Sequence, residues 1–361
     1  MRILYGVVGE GMGHATRSKV VIDHLIKKKH KVKIVVSGRA YAFLKRHFPD
    51  VVEIRGLTIR YSAGAMDRDL SVVQNVLLSP SMLFQNAAAY IDDVRHFQPK
   101  IVLSDFDSYA WFFARRFGLP ILSIDNQQII HKCKHADEIT KGVRADYSAT
   151  RAFVKAKLPG CEHYVITSFF KPTIRAKFQE RVTIVPPILR EEILKAHPTR
   201  GEHVLVYQTS TSDRALLAQL NRLHGRKFVV YGLGRDAVEG NCTLHSFSEQ
   251  RFVRDLASAR AVVTNGGLSL IHEAIYLGKP ILSVPVRHQF EQEMNARYLE
   301  QYGYGLAAPR FDADVLDAFL RQERRYVEAL GQHRQKGNEV LYRTVDHLVK
   351  SQADRSTTTS T

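Results

Sequence analysis

The sequence predicts an α/β protein built from two doubly wound domains that face each other across a cleft. Three observations carry this reading. Short continuous apolar runs of strand length recur through both halves, each followed by a stretch with helical periodicity. Glycine-rich turns join strand to helix near residues 9–13 and 266–267. The chain has 361 residues, enough for two ordinary domains with cores of their own.

The first half opens with a buried-strand run, Arg2–Val8, then the turn Gly9, Gly11, Gly13 and an amphipathic stretch from Thr16 to Lys29. Val32–Ser37 is the next strand. Lys100–Ser104, Ile121–Ile124, Val165–Thr167 and Val182–Val185 continue the series, with a helix over Tyr109–Phe117. Pro186-Pro187 and the polar run Arg190–Glu202 read as the connection between domains. The second half repeats the alternation, with strands at Val204–Gln208, Phe228–Tyr231, Ala261–Thr264 and Ile281–Val284. Helices are expected over Asp213–His224, Glu249–Ser258 and Ser269–Leu277, and helical pattern covers Asp312–Val349. The predicted units are residues 1–188, residues 189–350 and a disordered Ser/Thr-rich tail over 351–361.

With 45% hydrophobic and 24% charged residues, the composition excludes a disordered chain. The net charge of +16 is concentrated in residues 1–190, where 30 Lys and Arg face 16 Asp and Glu. That half should attract an anionic partner: a phosphorylated or lipid-linked acceptor, an acidic membrane surface or nucleic acid. Solubility is the alternative use of such charge. The three cysteines, Cys133, Cys161 and Cys242, are scattered and odd in number, which suits a reducing compartment. No signal-peptide layout and no spanning run is present, so a cytoplasmic protein is expected, free or resting on the inner face of the membrane. The apolar stretch Leu70–Tyr90 would supply core, acceptor pocket or membrane contact.

The segment Thr264-Asn265-Gly266-Gly267-Leu268-Ser269 ends a strand, turns on two glycines and enters a helix. Such a turn lets an anion approach backbone N–H groups at the positive end of the helix. Ser269 can cap that helix or bind phosphate. Glu273 lies one turn further along the same face, where a carboxylate can accept two ribose hydroxyls. An ordinary strand–helix turn with a surface glutamate is the competing reading. Gly278-Lys279-Pro280, Pro285, Gln289, Glu291-Gln292 and Asn295-Ala296 follow.

The block from Thr264 to Ala296 resembles the donor-binding signature of the GT-B glycosyltransferases. It is similar to that of the plant and bacterial UDP-sugar transferases and of the transferase that forms lipid II. The resemblance implies two Rossmann-like domains facing across a cleft, with a nucleotide sugar, UDP-linked, as donor substrate. It implies diphosphate contact by Gly266, Gly267 and Ser269, ribose contact by Glu273, and sugar contact by Glu291 and Gln292, with Gln289 beside the donor just past the strand. Asn265 stands where many members have a phosphate-binding histidine. Phe247 occupies the place of the base contact, and Thr209 and Ser210 that of a Gly-Ser turn touching phosphate or sugar.

Gly13-His14 resembles the first-strand loop in which a histidine deprotonates the acceptor hydroxyl, a task that suits a neutral imidazole. Helix capping is the alternative role for His14. A six-residue dinucleotide fingerprint fails here, because His14 stands where its third glycine would be. Asp105, at the end of a buried strand, would point into the same cleft. The segment from Asp105 to Phe112 is similar to the one that orients the catalytic histidine in plant-type transferases. Asp107 competes for that role, and Glu10 is a second candidate base. Asp105-Phe106-Asp107 is distant from the donor loop, so no metal and no cofactor are expected. His131, Cys133 and His135, read as one face of a strand, lack the spacing of a zinc site. The reaction implied is inverting transfer of a sugar to an acceptor hydroxyl. A nucleotide-sugar epimerase of the same fold and a non-enzymatic polyanion-binding protein are the alternatives, with nucleic acid disfavoured as a partner.

Overall fold

A computed structural model describes residues 1–9, 11–54, 61–62, 65–66, 94–208, 213–333 and 335–358. The expected helix–strand alternation folds into two separate seven-stranded sheets. The first contains β1 (Arg2–Val7), β2 (Lys31–Ser37), β3 (Val51–Ile54), β6 (Ile101–Asp105), β7 (Ile121–Asp125), β8 (His163–Thr167) and β9 (Val182–Val185). Its order is β3-β2-β1-β6-β7-β8-β9, and these strands pair in parallel throughout. A small hairpin, β4 (Tyr61–Ser62) and β5 (Ala65–Met66), stands apart.

The second sheet contains β10 (His203–Tyr207), β11 (Lys227–Tyr231), β12 (Ala237–Glu239), β13 (Cys242–His245), β14 (Ala261–Thr264), β15 (Ile281–Ser283) and β16 (Gly305–Ala307). Its order is β12-β13-β11-β10-β14-β15-β16, with β12 antiparallel. In each sheet the strand order reverses beside the first strand, between β1 and β6 and between β10 and β14. Ligands of doubly wound sheets bind at such a reversal, beyond the carboxyl ends of the strands. Both strands of the first reversal end on charged or glycine-bordered positions: Val7 lies opposite Asp105.

The apolar runs form strands because helices cover both faces of each sheet, leaving β1 and β6 buried almost throughout. One core cluster joins residues of both halves. Within it Phe170 stacks on Tyr298 with ring centroids 3.8 Å apart, and Phe169 packs edge-on against His272.

Two expectations need correction at the carboxyl end. The helical pattern over 312–349 divides into Ala313–Arg321, Glu323–Leu330 and a longer helix, Glu339–Thr358. That last helix runs through residues 351–358, which were expected to belong to a disordered tail. Its apolar positions Leu341, Val345 and Val349 recur every four residues and pack into the core of the first sheet, although the residues before it belong to the second half. Docking of this stripe, rather than the propensity of the Ser/Thr-rich end, fixes the helix. The stretch Leu70–Tyr90 lies outside the described residues.

Leu341→Ala should therefore destabilise the protein by about 2–5 kcal/mol, the range for emptying a buried leucine site. A denaturant titration measures this, and an unchanged midpoint would mean that the last helix is not docked on the first sheet.

Candidate active site

Asp105 ends β6 and is completely buried. A carboxylate there must be balanced, and three side chains of one helix, Met12–Lys27, do so. His14 Nδ1 lies 2.9 Å from Asp105 Oδ1. Arg17 Nε donates to Oδ2 at 2.8 Å, and its Nη2 donates to Oδ1. Ser18 Oγ donates to Oδ2 at 2.9 Å. The spacing is helical: residues 14, 17 and 18 share one face. Arg17 and His14 hold the Asp105 carboxyl well below the ordinary carboxylate range, against the upward push of burial.

On the other side of the imidazole, Gln127 Nε2 is 3.1 Å from His14 Nε2. Gln127 Oε1 faces Arg17 Nη2 at 3.5 Å, which assigns the amide nitrogen to the histidine. His14 Nε2 is then the acceptor, and Nδ1 carries the proton donated to Asp105. In this tautomer the 2.7 Å approach of Arg17 Nη2 to Nδ1 is a meeting of two donors on one shared carboxylate. His14 keeps 12% of its side chain exposed.

Asp107 serves a different purpose. It caps the helix Ser108–Arg116 by accepting from the Ala110 N–H at 2.8 Å. Phe106, between the two aspartates, has φ of 56°, a left-handed conformation rare for an aromatic residue. That turn sends the two carboxylates to different places. Ser104 Oγ closes it, accepting from Asp107 N–H and donating to Asp107 O, both at 2.9 Å. Burial pushes Asp107 up to about 6, and Asp125, at the end of β7, likewise to about 6.

The start of the His14 helix faces the start of a helix in the other half, Leu268–Tyr276. A Cβ on Gly13 would lie 2.7 Å from Ser269 Oγ, closer than real contacts allow. Both helices begin on a glycine, Gly11 and Gly267, with no side-chain cap and no acidic residue in the first turn. Gly267 rather than Ser269 is the N-cap, leaving the Ser269 hydroxyl inside the first turn. Two helix starts without side-chain caps thus meet at Gly13 and Ser269, and the N–H groups of such starts suit an anion. Gly266 has φ of 92°, and a Cβ there would meet Gln292 O and Ser283 Oγ at 3.0 Å.

The remaining expected site residues divide between cleft and scaffold. Glu291, in the first turn of the helix Phe290–Gln301, accepts from Asn126 Nδ2 across the cleft at 2.7 Å. Asn126 Oδ1 in turn accepts from Arg17 Nη1. Gln292 Oε1 holds the Val286 N–H at 3.0 Å. Gln289 is the N-cap of the same helix. The Asn265 amide nitrogen donates to Gln208 Oε1 at 2.7 Å and Val284 O at 3.3 Å, bracing the strand ends. Phe247 is 57% exposed and leans on Phe252 with centroids 5.8 Å apart. Glu273 is buried, and Arg190 grips it. Glu10, Thr209 and Ser210 lie outside the described residues.

His131 lies in the short helix Gln128–Lys132 rather than on a strand, and Cys133 follows that helix in extended conformation. Sequence reasoning missed Arg17, Asn126, Gln127 and Arg190. Arg17 stands one turn after His14, and Asn126-Gln127 directly follow a strand, so both carried a positional signal. Arg190 carried none.

The family comparison agrees with this architecture. Residues 1–323 match the model of glycosyl transferase family 1, and the chain belongs to that family of enzymes. An uncharacterized glycosyltransferase of Methanosarcina acetivorans is 25% identical over 340 residues, with 84% of this chain and 85% of the relative covered. A UDP-N-acetylglucosamine–N-acetylmuramyl-(pentapeptide) pyrophosphoryl-undecaprenol N-acetylglucosamine transferase of Bacillus cereus is 21% identical over 199 residues, covering 46% of this chain and 55% of that protein. Among solved structures, the glycotransferase of kitacinnamycin superposes with a TM-score of 0.67 at 18% identity, covering 96% of this chain and 98% of that one. Arabidopsis thaliana UGT89C1 complexed with UDP-L-rhamnose gives 0.65 at 15% identity, covering 97% and 98%. The fold is the GT-B arrangement of two Rossmann-like domains. Family membership favours sugar transfer over the epimerase and polyanion-binding alternatives.

The two aspartates should separate by pH. Asp107, raised from 3.8 to about 6, binds its proton more tightly in the fold than in the unfolded chain. Its contribution to stability therefore falls as pH rises from about 4 to 6. Asp105, depressed, contributes above the ordinary carboxylate range, and that contribution is lost only as pH falls through its lowered value. Asp107→Asn keeps a good cap and should hold or raise the melting temperature at pH 7. Asp105→Asn should lower it, because Arg17 is left as a buried cation short of its partner. Equal losses in the two variants would contradict these assignments.

Proposed function

We propose that the protein transfers a sugar from a UDP-sugar to an acceptor hydroxyl with inversion, using His14 as the base. The observation that carries this reading is the apposition of the two uncapped helix starts at Gly13 and Ser269, with the His14 imidazole beside them. The donor diphosphate lies at the N–H groups of Leu268 and Ser269, with the Ser269 hydroxyl as a further donor. Glu273 accepts the ribose hydroxyls, and Phe247 offers a face to the base. Glu291 stands on the sugar side of the cleft.

In the reaction the acceptor oxygen attacks the anomeric carbon as the bond from that carbon to the diphosphate oxygen breaks. His14 Nε2 takes the hydroxyl proton, displacing Gln127 from that nitrogen. Asp105 receives the Nδ1 proton in a hydrogen bond, fixing the tautomer and stabilising the imidazolium. The leaving diphosphate gains its negative charge at the helix start, where fixed dipoles await it. The carboxylates of Asp105-Phe106-Asp107 are already committed, Asp105 to its ion pair and Asp107 to its cap, so the reading assigns no metal on this pair to the leaving group.

A UDP donor is supported by the resemblance of the donor block, by the Bacillus cereus relative named for UDP-N-acetylglucosamine and by the UDP-L-rhamnose held in the plant structure. The excess of positive charge in residues 1–190 favours an anionic acceptor, lipid-linked or phosphorylated. No described helix is long and apolar enough to cross a membrane.

His14→Ala should lower turnover by roughly 10²–10⁴-fold, the usual worth of a general base, with UDP affinity nearly intact. Steady-state kinetics paired with calorimetry measure both. Near-normal turnover in the variant would remove His14 as the base and turn attention to Glu10.

A further inference from the structure

Arg190 belongs to the connection that leaves β9 through Pro186-Pro187, yet its guanidinium reaches into the donor half. Nε donates to Glu273 Oε1 at 2.7 Å and Nη2 to Oε2 at 2.8 Å. The third corner, Nη1, donates to Glu249 Oε1 at 2.9 Å. Arg190 and Glu273 are both buried. Glu249 opens the helix Glu249–Ser258, two residues after the exposed Phe247. One arginine therefore ties the carboxylate at the proposed ribose position to the helix start beside the proposed base platform.

A buried carboxylate alone tends to take up a proton. Burial raises Glu273, and the anionic Glu249 and Glu192 push in the same direction, while Arg190 opposes all three. The two-bond fork also sets the plane of the carboxylate, which a point charge would not do. A carboxylate offers about four lone-pair sites. The fork takes two and leaves one on each oxygen.

We propose that Arg190 is a positioning residue of the donor site, holding Glu273 as a carboxylate in one plane so that its two remaining lone pairs accept both hydroxyls of a ribose. The inference rests on Glu273 being the ribose carboxylate, and the test separates the two claims. The probes are UDP and 2′,3′-dideoxy-UDP, titrated calorimetrically at pH 6 and pH 8 into the full chain and its Arg190→Gln, Arg190→Lys and Glu273→Gln variants.

The parent protein should prefer UDP by roughly tenfold or more, the scale of charge-assisted hydrogen bonds, equally at both pH values. Arg190→Gln should cut that preference to below about threefold, and further at pH 6 than at pH 8, as Glu273 gains a proton; the ratio to dideoxy-UDP cancels the titration of the diphosphate that both nucleotides share. Arg190→Lys should lose part of the preference but keep what remains level with pH. Dideoxy-UDP should bind all variants alike, whereas general damage to the site would weaken both nucleotides. Full preference at both pH values in Arg190→Gln, with preference lost in Glu273→Gln, would reduce Arg190 to a structural tie and leave the ribose reading standing. If Arg190→Gln fails to fold, full preference in Arg190→Lys overturns the proposal. Preference retained in Glu273→Gln would remove the ribose reading and this proposal with it.

Discussion

The site depends on how the protein accommodates one buried carboxylate. Asp105 ends the central strand β6 with no solvent around it, and an unpaired charge there would cost several kcal/mol. The compensation comes from a single helix, through His14, Arg17 and Ser18. Electrostatics thereby fixes the start of that helix relative to the sheet. Gly13, held in the same turn, is then brought against Ser269 of the other half. The carboxylate that orients the proposed base also sets the spacing between the two helix starts.

From Arg17 the polar contacts continue across the cleft, to Asn126 and on to Glu291. A second arginine, Arg190, joins the interdomain connection to Glu273 and Glu249. Both arginines are buried cations balanced by carboxylates from other elements. Each serves two purposes at once: it pairs a charge that burial would otherwise penalise, and it links parts of the chain whose relative position the reaction needs. Asp107 shows the contrast. Two residues from Asp105 and of the same residue type, it is turned away by the left-handed Phe106 and spends its carboxylate on a helix cap.

Much of this was legible in the sequence because each feature has a local cause. Buried parallel strands read as apolar runs, so most strands appear within a residue or two of their expected places. The short strands β3, β12, β13 and β16 carry too little pattern to be seen. His14 and Asp105 were legible as a pair because one follows and the other ends a first-half strand. The backbone could not be read so far as to decide between Asp105 and Asp107, since that choice rests on one φ angle. Asn126 and Arg190 act through contacts with residues 291 and 273, separations that periodicity cannot register. The last helix misled for a similar reason: its Ser/Thr-rich composition suggests disorder, while a stripe of three apolar residues docks it on the first sheet.

The central claim is that the donor diphosphate binds between the two facing helix starts. A crystal structure of the UDP complex tests it most directly. The account predicts phosphate oxygens within hydrogen-bond reach, roughly 2.7–3.2 Å, of the Leu268 and Ser269 backbone N–H groups, with the ribose on Glu273 and the open side of the diphosphate facing His14. A nucleotide bound away from Gly267, or a diphosphate turned from the His14 helix, would contradict it.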